Sequence, residues 1–169
     1  SRRLASDALD PARTTNRDEL RYSLRSIATN ASWVRHIWLV TDGQVPAWLA
    51  EHPRLTVVHH EELFSDPTAL PTFNSHAIES QLHHIEGLAE HFLYLNDDVF
   101  FGRPVRPELF FHGNGIARFA LSPIAVDRDL EARPMNGAML AARRGREFLE
   151  EAFGRTVTHR MQHVPHAHQ

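Results

Sequence analysis

The residues best suited to chemistry are Asn96, Asp97 and Asp98, set between the apolar run Phe92-Leu93-Tyr94-Leu95 and Val99-Phe100-Phe101-Gly102. Adjacent carboxylates suit a hard divalent cation, and through it a phosphate. The tripeptide would also serve as a plain polar turn, because Asn and Asp bond their own backbone there. Apolar aromatics on both sides argue for more than a turn, since charges in such surroundings are rarely left unpaired. The pattern recurs once: His36-Ile37-Trp38-Leu39-Val40 runs into Thr41-Asp42-Gly43-Gln44, with a Gly suited to a sharp bend.

Both apolar runs are short and continuous, as expected of strands packed on two faces in a parallel sheet. In open α/β sheets the ligand crevice lies beyond the carboxyl ends of the strands, which would bring Asp42 to the same edge as Asp97 and Asp98. Strands are therefore predicted at 36–41 and 92–96, side by side or one apart, with a third at 55–60 and a further one at 115–121. The fold class is α/β, a mainly parallel sheet flanked by helices.

Helices supply the remaining candidates. Asn16 and Glu19 form a capping box, and Leu20, Leu24 and Ile27 continue at helical spacing through about residue 28. Arg21 and Arg25 stand one turn apart on that helix, either as a solvated face or as a grip on anionic oxygens. A second helix is predicted from Asn74 to Gly87, with Ile78, Leu82 and Ile85 on its apolar face. It carries His76 near its start, where a helix end attracts phosphate, and Glu79 and His83 at i, i+4. That spacing does not match the two-His zinc helix. A third helix follows Pro134-Met135-Asn136-Gly137 and ends at Gly154.

Composition narrows the function classes. The chain of 169 residues holds 13 His and no Cys, with a formal charge of -3. One domain is expected at this length, and the absence of Cys removes disulfides and thiolate chemistry. A mild negative charge offers no field for nucleic acid, and no apolar run reaches membrane length. The His content concentrates in the tail, where His163-Val164-Pro165-His166 flanks a rigid Pro with imidazoles. Such a tail is either a loose terminus or part of a site that uses the imidazole pKa.

Several blocks together resemble one family. Glu19-Leu20-Arg21-Tyr22-Ser23-Leu24-Arg25-Ser26-Ile27, Trp33-Val34-Arg35-His36-Ile37, Val40-Thr41-Asp42-Gly43-Gln44-Val45-Pro46, Pro71-Thr72-Phe73-Asn74-Ser75-His76-Ala77-Ile78-Glu79-Ser80 and Leu95-Asn96-Asp97-Asp98-Val99 resemble the second conserved region of the Stealth proteins. That family holds bacterial capsular polysaccharide phosphotransferases and the catalytic subunit of animal N-acetylglucosamine-1-phosphotransferase. The resemblance spans 16–102, and 134–169 is similar to the start of the third conserved region. It implies a single catalytic domain over 1–169, truncated at both ends, in a nucleotide-sugar-transferase-like fold. The first conserved region is expected before Ser1 and the fourth after Gln169.

The resemblance implies transfer of a hexose-1-phosphate from a nucleotide sugar to a glycan hydroxyl, in capsular or other cell-surface polysaccharide synthesis. The products would be a phosphodiester and a nucleoside monophosphate. On this reading Asp97 and Asp98, with Asp42, hold Mg2+ or Mn2+, and Asp98 is also catalytic. Arg21, Arg25, Asn74, His76 and Glu79 bind the donor or its phosphates, and His163 or His166 accepts the hydroxyl proton. The partners are a nucleotide-sugar donor and a glycan acceptor, with no nucleic acid and no membrane span. The expected location is the cytoplasm or the inner face of its membrane. Two alternatives share these residues: a metal-dependent glycosyltransferase that moves the sugar alone, and a non-catalytic protein that binds nucleotide sugar or glycan.

Overall fold

The computed structural model describes residues 17–125, 137–156 and 158–169. The chain forms helix α1 (Glu19–Asn30), strands β1 (Ile37–Thr41) and β2 (Leu55–His59), and short helices α2 (His60–Leu63) and α3 (Ser75–Glu79). Strand β3 (Phe92–Tyr94), β4 (Leu121–Ala125), helix α4 (Gly137–Phe153), β5 (His159–Met161) and β6 (His166–His168) follow.

Strands β1 and β2 pair in parallel, Ile37 opposite Leu55 and Thr41 opposite His59. The other two pairs are antiparallel, β3 with β6 and β4 with β5. The sheet structure is thus mixed among the described residues, not mainly parallel. The reason lies in the tail, whose His-Ala-His segment turns back along β3 and takes its edge. The architecture remains α/β.

Side-chain alternation explains how β1 and β3 share one layer without pairing in a ladder. Ile37, Leu93 and Leu95 pack on a cluster of Ile27, Ala31, Phe101, Phe110 and Ala167. Trp38, Val40, Phe92 and Tyr94 pack on the other cluster, Val58, Leu63, Leu82 and Ile85. Successive strand residues point to opposite faces, so both strands lie between the same two cores. This is why their sequences are apolar at every position rather than at alternate ones.

Helix α1 docks through hydroxyls and an amide. The buried Ser23 Oγ donates to the Val99 carbonyl at 2.8 Å, Ser26 Oγ accepts from the Phe101 amide at 3.0 Å, and Asn30 Nδ2 donates to the Phe101 carbonyl. Phe101 also enters the core beneath the helix. The segment just after Asp97 and Asp98 is thereby fixed in place, its backbone groups satisfied where no strand ladder reaches them.

Several predicted boundaries move. Asn16 lies outside the described residues, and the Glu19 carboxylate accepts instead from the Arg17 amide at 2.8 Å. The single helix expected at 74–87 is two pieces, α3 and a 3-10 turn at Leu82–His84. Ser80 ends the first piece, its Oγ donating back to the Ala77 carbonyl at 2.8 Å, a local bond that competes with helix propagation. The strand expected at 115–121 begins only at Leu121, after a tight loop bridged by Phe111 and Ala117.

Candidate functional site

Strand β3 ends at Tyr94, and the chain then presents half-buried Asn96 and exposed Asp97 and Asp98. The tail reaches this edge because strands anchor it on both sides of His163. Gln162 N donates to the Ala120 carbonyl at 2.8 Å beside β5, and β6 pairs Tyr94 with His166 and Phe92 with His168. Pro165 lies within the connection, limiting its freedom.

His163 consequently meets the acidic motif. Its Nε2 lies 3.0 Å from Asp98 Oδ1, and its Nδ1 lies 3.4 Å from Asn96 Nδ2. Asn96 is held from behind, since Tyr94 Oη donates to Asn96 Oδ1 at 2.8 Å. Glu79 approaches the same strand pair from α3, its Oε1 being 3.8 Å from His168 Nε2. His168 stacks on Phe92 with ring centroids 4.9 Å apart and meets Tyr94 edge-on.

This grouping perturbs two titrations. Burial, helped by the negative charges of Glu79, Asp97 and Asp98, pushes the Tyr94 phenol up to about 12. It therefore stays a neutral hydrogen-bond donor across ordinary pH. Burial also lowers the pKa of His166, with His168 and His163 adding to the effect and the Glu79 charge opposing it. An imidazole so placed resists protonation.

The other sequence-predicted residues are more dispersed. Among the described residues, no group of three or more His, Asp or Glu is arranged to hold a metal ion, so Asp42 does not join Asp97 and Asp98 in one. Exposed Asp42 accepts from Gln44 Nε2 at 3.4 Å. Arg21 lies over Trp48, its Cζ 5.9 Å from the ring, while Arg25 is exposed. Asn74 Oδ1 accepts from the His76 amide at 3.1 Å, so it caps α3, and His76 itself is exposed.

Sequence reasoning did not single out Tyr94 or His168 for the site. A phenol inside an otherwise aliphatic and aromatic run was the available signal for the first, because a buried Tyr hydroxyl usually has a partner. For His168 the signal existed only in the β3–β6 register.

Residues 13–119 match Stealth protein conserved region 2. The chain belongs to the Stealth family. It is 55% identical over 163 residues to an exopolysaccharide phosphotransferase of Streptomyces coelicolor, covering 96% of this chain and 28% of that protein. A Nocardia farcinica exopolysaccharide phosphotransferase is 51% identical over 154 residues, 91% of this chain and 30% of the relative. One from Mycobacterium tuberculosis is 48% identical over 153 residues, 90% of this chain and 29% of the relative. The chain thus spans under a third of the length of these Stealth relatives. The matched region extends past the Asp97-Asp98 motif and includes Glu79, Tyr94 and Asn96, while the imidazoles of the tail lie beyond it. No helix among the described residues is long and apolar enough to cross a membrane.

Proposed function

We propose that this chain carries the proton-accepting part of a Stealth phosphotransferase that moves a hexose-1-phosphate from a nucleotide sugar to a glycan hydroxyl. The observation that carries the reading is the His163–Asp98 contact at the end of β3. The names of the relatives support phosphotransfer in exopolysaccharide synthesis. The α/β layer with acids at a strand end supports a nucleotide-sugar-transferase-like fold.

In this mechanism His163 removes the proton from the acceptor hydroxyl, and Asp98 stabilises the resulting imidazolium. The acceptor oxygen forms a bond to the sugar-linked phosphorus. The bridging P–O bond to the nucleoside phosphate breaks, and its electron pair leaves with the nucleoside monophosphate. Positioning and charge neutralisation supply most of the catalysis in such transfers.

The donor set fits a hard cation in part. Asp97 and Asp98 are exposed carboxylates, and Mg2+ commonly takes one or two of these beside substrate phosphates and water. Bound Mg2+ or Mn2+ would neutralise diphosphate charge. Asp97 and the Asp98 oxygen not facing His163 are the groups to hold it. Arg21 and Arg25 on α1 are assigned to the donor phosphates. Asn74, His76 and Glu79, on or beside α3, are assigned to the donor as well.

The test is product analysis with the full-length protein, candidate nucleotide sugars, a glycan acceptor and Mg2+. Release of nucleoside monophosphate supports the proposal. Release of nucleoside diphosphate assigns a glycosyltransferase instead, and binding without turnover assigns a binding protein.

A further inference from the structure

We infer that Tyr94, acting through Asn96, is a positioning residue that fixes the tautomer of His163 and makes Nδ1 the proton-accepting atom. The inference rests on the proposed role of His163 for its catalytic meaning, but the tautomer itself follows from hydrogen-bond geometry. Tyr94 Oη lies 2.8 Å from Asn96 Oδ1, and the phenol stays protonated, so the hydroxyl is the donor and the amide oxygen is spoken for.

The orientation of the amide then dictates the rest. With its oxygen turned to Tyr94, Asn96 presents Nδ2, which carries only hydrogens, to His163 Nδ1 at 3.4 Å. Two N–H groups cannot face each other at that separation without loss, so Nδ1 must offer a lone pair. The single proton of the neutral ring therefore sits on Nε2, where Asp98 Oδ1 accepts it at 3.0 Å. The opposite tautomer would set a lone pair against the carboxylate and an N–H against the amide, failing at both ends.

This assigns different work to neighbouring residues. Asp98 orients the ring and balances the charge that appears on it, and the weak, long contact from Asn96 leaves Nδ1 available to a hydroxyl. When Nδ1 takes a proton, the Asn96 amide must rotate or release.

The tautomer can be read from the imidazole 15N resonances of the full chain labelled with 15N-histidine. His163→Ala identifies the His163 signals by their loss. At a pH where the ring is neutral, Nδ1 of the unsubstituted protein should resonate as an unprotonated nitrogen and Nε2 as a protonated one. Asn96→Asp offers an acceptor to Nδ1 in nearly the same volume while Asp98 still accepts at Nε2, so Nδ1 should become protonated as well and its resonance should shift to that of a protonated nitrogen. Tyr94→Phe keeps the ring packing and should give a mixture. Amide spectra of each variant check the fold. An Nδ1-protonated ring in the unsubstituted protein overturns the inference, as does an Asn96→Asp variant with unchanged shifts. If the full-length protein turns over, Tyr94→Phe should lower kcat by roughly 10-fold with KM little changed, the scale of one lost hydrogen bond. Absence of turnover would contradict the proposed function while leaving the NMR result to decide the tautomer.

Discussion

His163 Nε2 lies 3.0 Å from Asp98 Oδ1, although 65 positions separate them in the chain. A carboxylate at this distance orients an imidazole and stabilises its protonated form. Both side chains are more than half exposed, at 61% and 57%, so the contact alone stabilises the fold little. It brings an imidazole and a carboxylate together at the exposed end of a half-buried strand, the pair to which proton acceptance is assigned in the proposed function.

Asp98→Asn should remove that charge while preserving shape. Transfer by the full-length protein is expected to fall by roughly 100-fold or more, the scale seen when a preorganised charge or donor is lost. Thermal unfolding should change little, because the residue is exposed. Near-normal turnover in a folded Asp98→Asn protein would reject the assignment.

His163→Ala and His166→Ala should differ. Removing a general base typically costs between about 100- and 10,000-fold, and that loss is expected for His163. His166→Ala is expected to retain more activity, because His166 is held in the β6 pairing with Tyr94. If both variants keep the rate and the acidic limb of the unsubstituted protein, neither imidazole is the base.

Acid should destabilise the protein through His166. Burial lowers its pKa from the ordinary 6.5, so the unfolded chain takes up the proton first as pH falls. Stability from this group is intact above about 6.5 and is lost as pH falls toward the folded value. Urea midpoints measured from pH 7 to pH 5 should therefore fall, and fall less in His166→Asn.

At the alkaline end Tyr94 is the marker. Its phenol should ionise near 12, against an ordinary value of 10, because of burial and the carboxylates of Glu79, Asp97 and Asp98. Stability from the neutral phenol is complete below 10 and is lost as pH rises through 12. Ultraviolet titration of a Tyr22→Phe protein isolates the transition, and Glu79→Gln should move it downward. A transition at the ordinary value would contradict the placement of Tyr94.

Ser23→Ala tests the seat of α1. Ser23 is 3% exposed and bonds the Val99 carbonyl, so the change leaves a buried acceptor unmatched. The expected cost is about 1–3 kcal/mol in chemical denaturation. A neutral result would show that the Ser23 bond does not hold the helix, leaving that to the Ser26 and Asn30 bonds and to Ile27 packing.

The sequence displayed β1 and β3 clearly, because strands between two cores are apolar at nearly every position and bounded by polar residues, and it displayed β2 through Leu55, Val57 and Val58. It displayed the acidic motif and the tail imidazoles for the same reason of local contrast. The direction of β6 was not legible: His-Ala-His carries one small apolar residue, and only its pairing with Phe92 and Tyr94 defines it as a strand. The break after Glu79 was hidden because Ile78, Leu82 and Ile85 keep helical spacing across two separate pieces. They reach the same core by different local geometry. The Tyr94–Asn96–His163 chain depends on two hydrogen bonds across strands and turns, which no spacing rule encodes.

The most direct test follows the phosphorus. The full-length protein is given a nucleotide sugar labelled with 32P only in its sugar-linked phosphate, together with a glycan acceptor and Mg2+. The account predicts that the label enters the glycan with the sugar, in a phosphodiester, and that Asp98→Asn and His163→Ala each abolish the incorporation. Sugar incorporated without the label, or label left entirely on the released nucleotide, would contradict it.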